Sequence, residues 1–113
     1  MAIKEKKKKK KKLLSKVVSS IQDKKGKDII SIDLSKINNS ITNYFVICSA
    51  SSTTQADAIY DEIMEKVHVD LNIKPFHREG YENSEWILID YFDLVVHIFL
   101  EEVRNLYKLD NLM

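Results

Sequence analysis

Glu85-Trp-Ile-Leu-Ile-Asp90-Tyr-Phe-Asp93-Leu-Val-Val-His97-Ile-Phe-Leu100-Glu-Glu-Val-Arg-Asn-Leu-Tyr107 is the stretch from which the rest of the chain can be read. Two apolar, β-branched runs flank Tyr91-Phe92, the pattern of a hairpin of two long strands. With Tyr91 and Phe92 as a two-residue loop, Asp90 lies opposite Asp93, Leu88 opposite Val95 and Trp86 opposite His97. Side chains alternate across a strand, so Trp86, Leu88, Asp90, Asp93, Val95, His97 and Phe99 share one side. Ile87, Ile89, Leu94, Val96 and Ile98 share the other. The second set is purely aliphatic and reads as core. The first mixes a large aromatic, a histidine and two carboxylates, which a core does not need.

A chain of 113 residues suits one domain with a single core. No run approaches the ~18 apolar residues of a membrane span, and no signal-peptide core follows the N-terminus. The single cysteine, Cys48, excludes an internal disulfide and fits a reducing, cytoplasmic setting. Its place inside Tyr44-Phe-Val-Ile-Cys-Ser49 marks a buried, inert thiol.

The net charge of +1 conceals a strong asymmetry. Residues 1–12 hold eight lysines and Glu5, for +7, whereas the remainder holds ten Lys and Arg against sixteen Asp and Glu, for −6. Residues 1–12 therefore read as a disordered basic tail and residues 13–113 as a single acidic domain. An acidic body argues for a basic or neutral partner rather than a nucleic-acid-binding fold. The tail is either a solubilising leader or a non-specific contact to RNA phosphates.

Leu13, Leu14, Val17, Val18 and Ile21 recur at helical spacing, predicting a helix over 13–25 with Gly26 as its C′ residue. Residues 28–34 alternate, with Ile30, Ile32 and Leu34 on one side, as a half-buried strand near an edge does. Tyr44 to Cys48 is apolar throughout, the pattern of a strand covered on both faces. Ser52 and Gln55 form a capping box. Ala56, Ile59, Tyr60, Ile63, Val67 and Leu71 then give one apolar stripe, with His68 turned to solvent. That helix can cross back over the sheet, making strands 44–49 and 73–78 parallel neighbours or near-neighbours. Pro75 puts the third strand at an edge or delays its start. Val103, Leu106 and Tyr107 form one face of a short last helix. The expected fold is α/β (α+β), a mixed five-stranded sheet with flanking helices too few to coat both faces.

Several of these residues together resemble the ribosomal silencing factor (Iojap-like) family over roughly residues 13–110. The marks are Tyr44-Phe45-Val46-Ile47, a Ser-rich turn with Gln55-Ala56, Glu79-Gly80, the stretch Trp86 to Phe99, and Arg104, Tyr107 and Leu109. The resemblance implies a nucleotidyltransferase-like topology without the active site and no enzymatic activity or cofactor. It implies docking onto the large ribosomal subunit through the ribosomal protein numbered fourteen, on the subunit-joining face. Subunit association is then blocked and translation repressed, and a homodimer is common. Three positions depart from the pattern: Asn43 stands for Asp, Phe92 for Gly, and Met113 where Trp is frequent. A two-residue type I′ turn would force φ > 0 on Phe92, which favours a different or longer loop.

Two rival readings are a nucleotidyltransferase-like enzyme and an RNA-binding module. The enzyme needs two carboxylates two residues apart on one strand and a glycine-bearing phosphate turn. Asp33 and Asp90 have no such neighbours, and Ser49-Ala-Ser-Ser52 lacks glycine. His68, His77 and His97 share no metal-ligand spacing with one another or with Cys48. The RNA-binding module rests on the tail alone. The candidate partner-binding set is Trp86, Leu88, Asp90, Tyr91 and Asp93, with Glu79 and His97 at its margin. Trp and Tyr dominate interface hot spots, and the two carboxylates would meet Arg or Lys of a basic ribosomal protein.

Overall fold

The apolar periodicities become three helices and five strands in a computed structural model that describes residues 2–37 and 42–107. The elements are α1 (Ala2–Asp23), β1 (Lys27–Asp33), β2 (Tyr44–Ala50), α2 (Thr53–Leu71), β3 (His77–Glu79), β4 (Trp86–Asp90), β5 (Leu94–Leu100) and α3 (Glu101–Tyr107). The sheet is mixed, in the order β1-β2-β5-β4-β3, with β2 and β5 parallel and every other pair antiparallel. Strand β2 thus lies beside β5. The expectation that strands 44–49 and 73–78 would be close neighbours fails: β2 and β3 are parallel, but β5 and β4 stand between them. The third strand is short and at the edge, with Pro75 ahead of it.

α1 and α2 cover one face of the sheet. Leu13, Val17 and Ile21 of α1 and Ala56, Ile59, Ile63 and Val67 of α2 pack on Val46, Cys48, Ile87, Ile89, Val96 and Ile98. Each such aliphatic side chain contributes roughly 1.5–3 kcal/mol when fully buried, so this layer is the core. Cys48 is sealed inside it, and desolvation pushes its thiol up to about 12, as expected of an inert cysteine.

The helix ends follow local chemistry. Ser52 caps α2 by accepting the Gln55 N–H at 3.1 Å. The Gln55 side chain accepts from the Ser51 N–H at 2.7 Å and donates to the carbonyls of Lys24 and Lys25 at 3.1 and 2.9 Å. The box is therefore reciprocal one residue upstream of its usual form, and it ties the end of α1 to the start of α2. At the end of α1 the left-handed residue is Lys25 (φ 61°), not Gly26. Lys25 N–H bonds Gln22 O and Gly26 N–H bonds Ile21 O, the paired closure of a Schellman motif. Gly26 is the residue after C′, where a Cβ would collide with the Ile21 side chain.

Residues 2–12, expected to be disordered, continue α1 as helix. Lysine propagates a helix well, and elongation from a turn already held by packing avoids the cost of nucleation. The last helix also differs from expectation. Val103 packs on a second apolar cluster, formed by Ile32, Leu34, Ile47 and Phe99, and Arg104 is buried, but Leu106 is 76% exposed. Arg104 Nη1 donates to Asp28 O at 2.6 Å and Ser49 Oγ at 2.9 Å, fastening α3 across β1 and β2.

Candidate functional site

The β4–β5 register places Trp86 opposite Phe99, Leu88 opposite His97 and Asp90 opposite Val95. The expected register, with Asp90 opposite Asp93, is two residues out. A shift of two preserves the alternation, so the membership of each strand face is unchanged. The connection is longer than two residues, Tyr91-Phe92-Asp93, closed by Tyr91 N–H to Leu94 O at 2.8 Å. Phe92 nevertheless takes φ 74°. Asp90 Oδ1 accepts the Phe92 N–H at 2.7 Å, an Asx turn that holds this conformation, and the Phe92 ring meets that of Phe76 edge-on at 6.2 Å.

Cross-strand partners share a face, so the sheet surface away from α1 and α2 can be written in rows. One runs Glu79, Leu88, His97, Ile47, Ile30; the next runs His77, Asp90, Val95, Phe45, Ile32. Trp86 and Phe99 lie above the first row, where Val103 of α3 packs on the same cluster. The predicted residues Trp86, Leu88, Asp90, His97 and Glu79 are thus brought together. Trp86, Leu88, Asp90 and Phe45 are half-buried among the described residues and Glu79 is exposed, but His97, expected at the margin of the docking surface, is buried beneath the Trp86 and Phe45 rings.

An aromatic patch forms the centre of this face. Trp86 stacks on Phe99 at 4.8 Å between centroids, and Phe45 meets His97 edge-on at 5.0 Å. Trp86 Nε1–H donates to His97 Nδ1 at 3.1 Å. An indole N–H only donates, so Nδ1 is the acceptor and the proton of the neutral ring sits on Nε2, which is buried with no partner among the described residues. Burial alone pulls the His97 pKa down to about 4. Along the β3 margin His77 Nε2 lies 2.9 Å from Glu79 Oε1, with Asp90 across from His77. This edge is therefore acidic.

Two expected members stand elsewhere. Tyr91 is buried on the opposite, helix-covered face, its hydroxyl pointing at Met64 Sδ at 3.9 Å. Burial, and secondarily Tyr60, push that hydroxyl well above the usual phenol range. Tyr91 continues the inward series Ile87, Ile89, and that parity was legible in the sequence. Asp93 does not face Asp90; its carbonyl receives the N–H groups of Asn43 and Tyr44 at 2.9 and 3.1 Å, joining the hairpin loop to the start of β2. Phe45 was missed, because only the β2–β5 pairing puts it beside His97. Among the described residues no group of three or more His, Cys, Asp or Glu could hold a metal ion.

The profile of the family described as "Ribosomal silencing factor during starvation" matches residues 7–113. The chain belongs to the ribosomal silencing factor family. A ribosomal silencing factor of Halalkalibacterium halodurans is 36% identical over 100 residues, covering 88% of this chain and 84% of the relative. One of Bacillus subtilis is 32% identical over 100 residues, covering 88% and 83%. The crystal structure of a Chromobacterium violaceum protein superposes with a TM-score of 0.85 at 30% identity, covering 90% of this chain and 83% of that one. The family membership foreseen from Tyr44–Ile47, Glu79-Gly80 and Trp86–Phe99 is thereby established, together with the five-stranded α+β fold. These relatives are named ribosomal silencing factors.

Proposed function

We propose that this ribosomal silencing factor docks through the sheet face carrying Phe45, Trp86 and Leu88 onto the large ribosomal subunit. Its receptor there is the ribosomal protein numbered fourteen, on the subunit-joining face. Occupying that surface excludes the small subunit and represses translation, with no chemical step and no cofactor, in the cytoplasm. The observation that carries the reading is the sheet face away from α1 and α2, where Phe45, Trp86 and Leu88 stay half-buried over buried Ile47, Val95, His97 and Phe99. It has aromatic and aliphatic side chains at its centre and Glu79 and Asp90 along one edge. Half-buried Trp and Phe supply interface area at low entropic cost, and an acidic edge complements a basic ribosomal protein. Asp90 already accepts the Phe92 N–H, so its charge would act at the margin while its oxygen holds the turn.

Sedimentation with purified ribosomal particles tests the reading. The chain should pellet with large subunits and not with small ones, and pre-incubation should lower the yield of joined ribosomes. Leu88 is the cleanest site for a variant: it lies on the docking face and belongs to neither buried cluster. Leu88→Lys should keep its melting temperature and lose large-subunit binding. Strong binding to small subunits, or unimpaired binding by Leu88→Lys, would overturn the proposal.

Part of this face or a neighbouring surface suits self-association in the absence of the ribosome. The exposed Phe76–Phe92 ring pair at the hairpin tip favours it, being 77% and 54% exposed. Docking and dimerisation would then compete, and a strictly monomeric mass by light scattering at high concentration would remove this part.

A further inference from the structure

The lysine run of residues 4–12 belongs to α1, outside the strands of the docking face, and holds eight of the eighteen Lys and Arg residues of the chain. The body beyond residue 12 has a net charge of −6 and residues 1–12 one of +7. The structure continues this run as the first half of α1, so the charge is carried on a rod rather than a coil. At 1.5 Å per residue, residues 2–12 extend over roughly 16 Å.

The end of the molecule from which this rod leaves follows from the helix packing. Gln55, in the first turn of α2, bonds the carbonyls of Lys24 and Lys25, so α1 ends where α2 begins. Lys16 Nζ pairs with Asp70 at 2.8 Å, placing the earlier part of α1 beside the end of α2. Met64, in the second half of α2, touches Tyr91 of the hairpin loop. The rod therefore leaves at the hairpin-loop end of the sheet, from the helical layer behind the docking face. A partner seated on that face leaves it unobstructed.

We propose that residues 4–12 form a helical arm that binds RNA backbone phosphates beside the docking site, a salt-dependent contact that adds to the protein–protein one. It rests on the docking reading for its setting, but not for its chemistry. Every position from 6 to 12 is lysine, so this segment has no apolar residue to offer. A membrane-surface helix needs an apolar face, which this segment lacks. Lysine is a compact point charge without the planar fork that reads bases, so the contact is to phosphate and indifferent to sequence.

The test uses the full chain and a labelled 20-nucleotide mixed-sequence RNA, followed by fluorescence anisotropy from 50 to 300 mM KCl. The variant is Lys6→Gln/Lys7→Gln/Lys9→Gln/Lys10→Gln, which keeps helix propensity while removing four charges. It should bind at least about ten-fold more weakly at 50 mM KCl. Its plot of log affinity against log salt should be shallower by roughly 2 to 3, since each lost single-strand phosphate contact removes about 0.7. Leu88→Lys should bind the RNA probe as the unaltered chain does while losing large subunits, so failure of docking and failure of the arm are separable. Equal RNA affinity of the Gln variant and the unaltered chain would overturn the proposal. So would binding to vesicles of phosphatidylcholine and phosphatidylserine (3:1) as tight as to RNA.

Discussion

Trp86 and His97 are joined across β4 and β5 by a single hydrogen bond, indole Nε1–H to imidazole Nδ1 at 3.1 Å, that exists only while His97 is neutral. Protonating Nδ1 would set two donors against each other inside an aromatic cluster. This agrees with a pKa pulled down by burial to about 4 from 6.5. Because the folded pKa lies below the unfolded one, the stabilisation is complete above about pH 6.5 and is lost as pH falls towards 4. One pKa unit is ~1.4 kcal/mol, so the loss across that window is of the order of 3 kcal/mol. Denaturant unfolding at pH 7.5 and 4.5 should show the unaltered chain losing more stability than His97→Phe, whose carboxylates titrate alike. Equal losses would mean that His97 is not held neutral.

Asp90 serves the turn through an oxygen and the edge of the docking face through its charge. Asp90→Ala removes the acceptor for the Phe92 N–H at a residue with φ 74°. It should cost about 1 kcal/mol of stability. Asp90→Asn retains a carbonyl oxygen for that bond, so its unfolding midpoint should stay within about 0.5 kcal/mol of the unaltered chain. Large-subunit affinity of Asp90→Asn should nevertheless fall several-fold. Normal affinity would confine the residue to its turn.

Gly80 is fixed by two independent demands. Its φ is +79°, and a Cβ there would run into the carbonyl of Trp86. Gly80→Ala should therefore cost roughly 2 kcal/mol or more, combining left-handed strain with displacement of backbone. Since the displaced carbonyl belongs to Trp86, large-subunit binding should weaken along with stability. Thermal melting and sedimentation of the variant measure both. A melting temperature equal to that of the unaltered chain would contradict the geometry.

Gln55 holds the two covering helices together through its two amide donors. Gln55→Glu replaces that amide with a carboxylate facing the Lys24 and Lys25 carbonyls. Destabilisation by about 1–2 kcal/mol is expected despite the usual preference for Glu at this helix position. A stabilised variant would show that capping outweighs the link between helices.

Alternation along single strands was legible without any structure, because it is a local steric property of the backbone. It sorted Trp86, Leu88 and His97 from Ile87, Ile89 and Val96, and it survived a register error of two residues. The Ser52 cap and the stripe of α2 were equally local, as was the edge position signalled by Pro75. The same parity would have sent Tyr91 inward; reading it as a loop residue hid that. What covers each face, and which strand lies beside which, depended on closing the chain over long separations. Only the tertiary structure seated β2 against β5 rather than β3, brought Phe45 to His97, and left Leu88 half-buried. The Trp86–His97 bond belongs to the same class: its two residues were on one face by sequence. Their hydrogen bond, and the neutral state it imposes, came from pairing and burial that no local pattern encodes.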